Sequence, residues 1–316
     1  MTESGTIEPP PNRPIRLKNV NCVYCNVDLS TVQSTKEHVI ARGFIPRGKL
    51  DGCWNLIVNA CKDCNDFKSN LEDDIATITM LPGLDGKYAS DDPALAEEVA
   101  RRASKSFSRR TKKLVKDSSE SMTIKGELVP GVSITFNMQS HPQLDFQRAY
   151  ELARLHLVAF FFFITYDHEK QRGHYWIGDF VPVNQASKND WGNNLMVAFA
   201  DLVKDWDNRM YAVTADGFFK LIIKAHDSSK CWAWAVEWNK KFRQIGFFGD
   251  PSVVDPIADS LPELTMTMFE QNERGYIRGR TEVPLDPEKD ILFDPPARDS
   301  SKTPNPNGSD LPEPTV

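Results

Sequence analysis

The sequence of residues 22–70 is CVYCNVDLSTVQSTKEHVIARGFIPRGKLDGCWNLIVNACKDCNDFKSN, and it contains two Cys-x2-Cys pairs. The pairs are Cys22/Cys25 and Cys61/Cys64, with 35 residues between them. One such pair presents two thiolates from a tight turn, and two pairs supply the four ligands of a closed tetrahedral zinc site. We therefore predict a structural Zn²⁺ bound by all four cysteines, with no open coordination position for chemistry.

A second set of polar residues lies around the cysteine pairs. The dipeptide Glu37-His38 lies between the pairs, Asn55 precedes the second pair, and Asn65 follows it directly. A histidine whose pKa is near neutrality can accept a proton from water, and a hard divalent cation prefers carboxylate and amide oxygens. Neighbouring strand residues point to opposite sides, so Glu37 and His38 share one site only if the backbone bends or the metal lies at the strand edge. These residues predict a second, open site.

The segments EHVIAR, WNLI and ACKDCNDFK, in this order, resemble the motif of the HNH (ββα-metal) nucleases that carry zinc-binding cysteine pairs. The resemblance covers about residues 20–76. It implies that His38 is the general base that deprotonates a water molecule. It also implies that Glu37 and Asn65 bind a catalytic Mg²⁺ or Mn²⁺, and that Asn55 orients the base and steadies its loop.

The sequence departs from the family pattern at both predicted magnesium ligands. Glu37 replaces the commoner Asp, and Asn65 stands where many members have His. These changes leave the reaction type unaltered but leave the metal preference open. Lys68, one helical turn after Asn65, is a candidate phosphate contact, and Asn59 is a second candidate for the role given to Asn55.

A basic segment follows the cysteine-rich stretch. From Pro93 the chain has no helix breaker through Lys116, so we predict a basic helix near residues 93–116. Five cations recur at spacings of three and four and would lie along one helix face. Lysines and arginines on one face can follow a nucleic-acid backbone through its phosphates. The candidate nucleic-acid contacts are Lys68, Arg101, Lys105, Arg109, Lys112 and Lys116.

The composition indicates a soluble, cytoplasmic protein. No basic and apolar leader is present at the N-terminus, and no apolar run is long enough to cross a bilayer. Six cysteines in a reducing compartment favour a metal site over disulfide bonds. The formal charge is −6, of which residues 281–316 supply −5 through eight Asp/Glu against three Lys/Arg. The remaining chain is close to neutral, so its charge does not exclude a nucleic-acid partner.

The predicted fold is α+β, with four segments. We expect a flexible lead over residues 1–19, an HNH nuclease domain over 20–80, a larger mixed α+β domain over 81–280, and a disordered acidic tail over 281–316. The apolar stretch Phe146–Thr165 predicts a buried helix at the centre of the larger domain.

The leading hypothesis is a zinc-stabilised, Mg²⁺- or Mn²⁺-dependent endonuclease that hydrolyses DNA rather than RNA. A restriction or phage-defence effector is one candidate role, with residues 81–280 contacting a partner protein. The alternative is a non-catalytic zinc module that binds nucleic acid or a protein. The sequence leaves open the cleavage site, nicking against double-strand cutting, and the oligomeric state.

Overall fold

The computed structural model shows a mixed α+β protein and describes residues 6–10, 12–83, 86–129, 131–176, 178–228, 230–272, 275–279 and 281–295. The strands in this part are β1 (Ile15–Arg16), β2 (Ser34–His38), β3 (Leu56–Cys61), β4 (Ser121–Val129), β5 (Val132–Gln139), β6 (Asp179–Ser187), β7 (Asp207–Thr214), β8 (Phe219–Ala225), β9 (Cys231–Trp238), β10 (Phe242–Gly249), β11 (Thr267–Asn272) and β12 (Gly275–Gly279). The helices are α1 (Lys62–Met80), α2 (Pro93–Ala103), α3 (Phe146–Ile164), α4 (Asn194–Val203) and α5 (Pro251–Asp259). None of the described helices is both long enough and apolar enough to cross a bilayer.

The cysteine-rich module, residues 20–80, consists of an antiparallel pair of strands followed by a helix. β2 pairs with β3, and α1 begins directly after β3 ends. The apolar residues Leu56 and Val58 of β3 are buried, and so are Leu71 and Ile75 of α1. The amphipathic strand and helix therefore bury their apolar faces in the same core.

The predicted flexible lead is wrong for its second half, which adds β1 to the module as a third strand. β1 runs parallel to β3, and the strand order is β1-β3-β2. The Ile15 N–H donates to the Asn55 carbonyl, and the Leu17 N–H to the Ile57 carbonyl, each at 2.9 Å. Burial of Leu17 adds apolar stabilisation that the proline-rich composition of this segment did not indicate. Residues 1–5 and 11 lie outside the described part.

The larger sheet contains five antiparallel strands in the order β6-β10-β9-β8-β7. Helix α3 packs on one face, where Phe161 contacts Trp232 edge to face. Helices α4 and α5 pack on the other face, where Phe199 of α4 contacts Phe247 and Val254 of α5 joins the same cluster. Both faces are therefore covered, which explains why the inner strands are apolar on both sides.

One hydrophobic core crosses the predicted domain boundary near residues 81–92. The same cluster contains Leu56 of the module, Leu152 of α3 and Trp234 of the sheet. The Trp54 indole N–H also donates to the Val213 carbonyl at 2.8 Å. The module and the sheet are therefore packed as one unit, although the sequence changes character between them.

The predicted basic helix near residues 93–116 is wrong beyond Ala103, where α2 ends. The Arg109 N–H donates to Asp74 Oδ2 at 2.7 Å, which attaches the segment after α2 to the side of α1. Lys112 has a φ of 59°, a left-handed conformation that no helix continues through. Of the candidate DNA-binding cations of this region, only Arg101 therefore lies on α2, and the five do not share one helix face.

The predicted disordered tail is wrong for residues 281–295, which we call the C-terminal strap. The strap crosses the sheet face that carries α4, and its apolar residues Leu292 and Phe293 are buried there. The Gly192 N–H donates to the Val283 carbonyl at 2.7 Å. Burial of Leu292 and Phe293 orders the strap despite the acidic, proline-rich composition around them. Residues 296–316 lie outside the described part.

A buried ion-pair cluster attaches the strap to the sheet. Arg243 of β10 is completely buried, and it donates to Glu237 at 2.7 Å and to both oxygens of Asp290 in the strap, at 2.7 and 3.0 Å. The guanidinium carbon also lies 3.8 Å from the centre of the Trp191 ring. The arginine thus compensates two carboxylates that have little access to water.

Replacing Arg243 with Met is expected to lower the free energy of unfolding by about 3–5 kcal/mol, because Asp290 loses its buried cation and Glu237 keeps only Lys220, 3.2 Å from its Oε1. Urea denaturation measures the effect. The matched control is Arg110→Met, which breaks an ion pair to Glu120 whose two side chains are each about 40% exposed. The control is expected to cost less than about 1 kcal/mol. Equal losses in the two variants would contradict this role of Arg243.

Candidate metal centre and catalytic site

The first two cysteines lie in a turn that precedes β2. The Asn26 N–H donates to the Cys22 carbonyl at 2.9 Å, and the Cys22 N–H donates to Val27 at 2.8 Å. Asn26 closes the turn in the left-handed conformation, with a φ of 64°, which Asn tolerates better than most residues. Cys61 ends β3, and Cys64 lies in the first turn of α1. The strand-to-helix junction therefore brings the second pair to the first.

The four cysteine sulfurs form a cluster that fits a metal. All four Sγ atoms lie within 4.8 Å of one another, and those of Cys25 and Cys61 are 3.7 Å apart. Tetrahedral zinc with Zn–S bonds of about 2.3 Å holds its sulfur ligands about 3.8 Å apart. The Cys61 N–H also donates to Cys22 Sγ at 3.3 Å, a contact that favours a thiolate. The cluster therefore fits a zinc-like structural ion.

Burial raises the pKa of the Cys22 and Cys64 thiols, and the neighbouring cysteines raise that of Cys64 further. Thiols bind metal as thiolates, so metal binding here releases protons and is favoured by higher pH.

Strand β2 presents its two predicted catalytic residues to opposite sides. Glu37 is buried against α1, with 6% of its surface exposed, whereas His38 is half-buried. Thr35, two residues before Glu37, also faces α1 and accepts a hydrogen bond from Asn65 Nδ2 at 2.9 Å. The predicted magnesium ligands Glu37 and Asn65 thus lie at the same interface between β2 and α1. His38 lies on the other face of the strand.

Lys68 is fully buried beside Glu37, which contradicts its predicted contact with phosphate. Its ammonium lies 2.8 Å from Glu37 Oε1 and 2.5 Å from Glu72 Oε1. The Tyr24 hydroxyl donates to the same Glu37 oxygen at 3.1 Å. Burial lowers the pKa of Lys68, but the carboxylates of Glu72 and Glu37 outweigh burial and raise that pKa above its usual value. Lys68 is therefore an internal cation and not a surface contact.

A histidine of α3 completes this buried cluster. His156 Nε2 lies 4.0 Å from Glu72 Oε1. Burial, and then the charge of Lys68, hold the pKa of His156 well below its usual value. The ring is therefore neutral at pH 7. Burial raises the pKa of Glu72, against the opposing effect of the Lys68 ammonium.

Asn55 fixes the loop that follows His38. Its Oδ1 accepts from the Ile40 N–H at 3.2 Å, and its Nδ2 donates to the Ile40 carbonyl at 2.7 Å. The Asn55 side chain thus pairs with both backbone polar groups of Ile40, two residues beyond His38. Asn59, the second candidate for this role, instead donates to the Asn19 carbonyl at 3.0 Å. The loop contact therefore belongs to Asn55.

Positive charges surround His38. His38 and Arg16 both pair with Ile57 in the sheet register, one from each side, so the three residues form a row on one sheet face. Burial, then Arg42, and then Arg16 lower the pKa of His38, against an opposing effect of Glu37. The imidazole is therefore neutral at pH 7.

Arg16 and Arg42, both exposed, were not predicted as residues of this site. Arg42 lies in the EHVIAR segment, four residues after His38, so the motif itself could have indicated Arg42 as a site residue. Arg16 reaches the row only because β1 pairs with β3, and its sequence neighbourhood contains no signal for that pairing.

The basic segment 101–116 presents separate cations. Arg101, Lys105, Lys112 and Lys116 are exposed, whereas Arg109 lies 3.3 Å from Asp73 in an ion pair. The structure does not bring these residues together with His38 in one described contact.

No protein-family model, curated protein or solved structure matches this chain. The chemistry of the site is therefore argued from its own residues. They comprise a sulfur cluster that fits a structural metal, a neutral imidazole beside two exposed arginines, and a buried carboxylate paired with an ammonium.

Proposed function

We propose that this chain is a metal-dependent endonuclease of the HNH type that hydrolyses phosphodiester bonds in DNA. The observation that carries the proposal is the environment of His38, a neutral and accessible imidazole beside two exposed arginines. A base that is neutral at pH 7 can accept a proton, and arginines beside it can bind a phosphate. The strand–strand–helix order of the cysteine-rich module supports the same assignment.

The catalytic metal would be bound by Glu37 and Asn65. A carboxylate and an amide are the oxygen donors that Mg²⁺ and Mn²⁺ prefer, and both residues lie at the interface between β2 and α1. Glu37 is 6% exposed and the Lys68 ammonium lies 2.8 Å from its Oε1, so an ion would bind this oxygen only in place of Lys68. Glu37 and His38 lie on opposite faces of β2, so an ion on Glu37 would supply Lewis-acid stabilisation to a phosphate beside His38 only from the edge of the strand.

The residues of the chain would then divide the remaining tasks. His38 accepts the proton of the attacking water at an imidazole nitrogen. Arg16 and Arg42 bind and orient the phosphate, which lowers the entropic cost of bringing it to the base. Asn55 holds the loop after His38 and so limits the orientations of the imidazole.

The test of this function is incubation of the zinc-loaded protein with supercoiled and linear DNA, with Mg²⁺ or Mn²⁺ and with a chelator. We expect cleavage with the ions and none with the chelator. Persistence of intact DNA over a range of sequences, ions and salt concentrations would overturn the proposal. A parallel incubation with RNA identifies the preferred nucleic acid.

The pH dependence of cleavage should report the charges around His38. A general base must be unprotonated, so the rate falls as pH decreases through its pKa, and we expect the midpoint of this fall to lie below the usual histidine value of about 6.5. Replacing Arg42 with Gln removes a cation that lowers this pKa, so the midpoint is expected to move to higher pH.

Profiles of kcat/KM against pH measure both midpoints. The midpoint is compared and not the rate, because the variant also loses a phosphate contact. The control is Arg110→Gln, which removes an exposed arginine that has an ion pair to Glu120. An unchanged midpoint in Arg42→Gln would show that His38 is not the titrating base.

A second candidate function is a non-catalytic zinc module that binds nucleic acid. The observation that favours it is the Lys68–Glu37 ion pair, which neutralises one predicted metal ligand. This candidate predicts DNA binding that weakens with salt while the DNA remains intact. It also predicts that His38→Ala changes binding little.

A further inference from the structure

The turn between β9 and β10 has a strained backbone at a lysine. The Lys241 N–H donates to the Trp238 carbonyl at 3.1 Å, which closes the turn around Asn239 and Lys240. These two central residues both have a positive φ, of 53° and 56°. Positive φ at both central residues is the pattern of a type I′ turn, which favours Asn first and Gly second. Lys240 therefore occupies a position where a side chain costs stability and glycine does not.

Asn239 attaches this turn to the loop that follows His38. Its fully buried side chain donates to the Phe44 carbonyl at 3.2 Å, and Phe44 lies two residues after Arg42. Three peptide bonds and one hydrogen bond thus join Arg42 to Lys240, so their Cα atoms lie at most about 21 Å apart. This span equals about six nucleotide rises of about 3.4 Å along a DNA strand. A strand whose phosphate lies at His38 is therefore within reach of the turn.

Lys240 has no carboxylate partner of its own. Within the described ranges its ammonium forms no ion pair. The Asp216 carboxylate is paired with Lys49 at 3.4 Å, and Glu237 is paired with Lys220 at 3.2 Å. Burial, and then the ammonium groups of Lys220 and Lys49, lower the pKa of Lys240, against the opposing effect of Asp216. An anion bound by Lys240 would relieve this repulsion between ammonium groups.

The excess of positive charge is confined to the turn. On the side of α2, a cavity of about 310 Å³ is lined by three cations and three carboxylates, which are Arg47, Lys49, Arg101, Asp92, Glu97 and Glu98. The charges of that cavity are balanced, so it offers a phosphate no net attraction. The candidate anion contact is therefore Lys240 and not the cavity.

Building on the proposed function, we propose that Lys240 binds a phosphate of the DNA backbone near the phosphate held by Arg16 and Arg42. The ligand is a phosphodiester anion, which an unpaired and partly exposed lysine contacts without reading the base sequence. The β9–β10 turn thereby extends the DNA-binding surface of the module onto the large sheet. This contact also accounts for a lysine where the backbone favours glycine.

The test is the affinity for a short fluorescein-labelled DNA duplex, measured by fluorescence anisotropy over a range of salt concentrations. All proteins are zinc-loaded and carry His38→Ala, so that the duplex stays intact. Lys240→Gly removes one phosphate contact, which lowers the slope of log affinity against log salt by about 0.9 and the affinity itself by about eightfold at about 0.1 M salt. The melting temperature is expected to stay the same or to rise, because glycine relieves the left-handed strain.

Matched variants isolate the charge of Lys240 from its backbone. Lys240→Asn also tolerates the left-handed conformation and should bind as weakly as Lys240→Gly, whereas Lys240→Arg should retain the original affinity. Gln171→Gly changes another left-handed residue, with a φ of 52°, and removes no charge. Lys204→Gln removes an exposed lysine that precedes β7, at the sheet end opposite the turn. Both of these controls are expected to bind DNA normally.

The outcomes separate this inference from the proposed function. Unchanged affinity and slope in both Lys240→Gly and Lys240→Asn would overturn the phosphate contact and leave DNA as the partner. A weaker affinity with an unchanged slope would also overturn it, because the loss would then come from the fold and not from a phosphate. If the starting protein binds no duplex at any salt concentration, the proposed function itself is wrong.

Discussion

Replacing His38 with Ala is expected to lower the rate of DNA hydrolysis by about 10²- to 10⁴-fold, the usual contribution of a general base. The imidazole lies beside Arg16 and Arg42 and has a lowered pKa, so it is unprotonated over the neutral range. Alanine removes the proton acceptor and leaves the arginines and the loop contact of Asn55 in place. Single-turnover cleavage of supercoiled DNA at saturating metal measures the loss, and DNA affinity should change little.

The control for this variant is His141→Ala, because His141 is exposed and lies outside the module. It is expected to cleave at the wild-type rate. Both variants should also retain zinc and the wild-type melting temperature. If His38→Ala cleaves as fast as the wild type, His38 is not the base, and the proposed reaction has no other candidate in this row.

Removing the structural metal is expected to unfold the protein or to lower its melting temperature by tens of degrees. Structural zinc in small domains contributes about 10–16 kcal/mol of apparent binding energy at neutral pH, and whole domains are stable by only about 5–15 kcal/mol. Cys25→Ala tests this directly, because Cys25 is exposed and its loss removes little core packing. The loss of stability should exceed that caused by deleting one buried side chain, because the module shares its hydrophobic core with the sheet.

Thermal unfolding and zinc content measure the result. Cys53→Ala is the matched control, since Cys53 is a half-buried free cysteine outside the sulfur cluster. It is expected to keep its zinc and to melt close to the wild type. If Cys25→Ala and Cys53→Ala have the same zinc content and the same melting temperature, the cluster does not hold a structural metal.

Much of the fold could be predicted from local pattern. The apolar helix α3 was predicted as Phe146–Thr165 and is observed over Phe146–Ile164. Its signal is local, because the apolar stretch is itself long enough for a buried helix. The strand β10 and helix α5 were not predicted. In β10 the polar residues Arg243 and Gln244 are buried, which conceals the apolar pattern of a core strand.

The errors at the chain ends have one physical cause. The segment of β1 and the C-terminal strap lack apolar periodicity of their own, and each is ordered by a partner distant in sequence. Arg16 pairs with Ile57 through the sheet, and Asp290 pairs with Arg243 across 47 residues. Composition predicts disorder only where no such partner exists, and single-sequence patterns contain no information on long-range partners.

The candidate site was predictable in type and partly in position. Spacing alone identified the four cysteines that the structure brings together. The alternation of a strand correctly anticipated that Glu37 and His38 point to opposite sides. The burial of Lys68 was not predictable, because Glu37 meets it only once α1 has packed on β2, whereas its other partner, Glu72, lies one turn along the same helix. A lysine on a helix is otherwise typically exposed.

The hydrogen bond between Trp54 and Val213 limits which part of the chain can be transplanted into another protein. Trp54 immediately precedes Asn55, the residue that holds the loop of the proposed base, and its indole is attached to an edge strand of the large sheet. Residues 20–80 taken alone would lose this anchor and expose the apolar surface that α3 covers. The transferable unit is therefore the module together with its sheet, and grafting the motif by itself would transfer the ligands without their alignment.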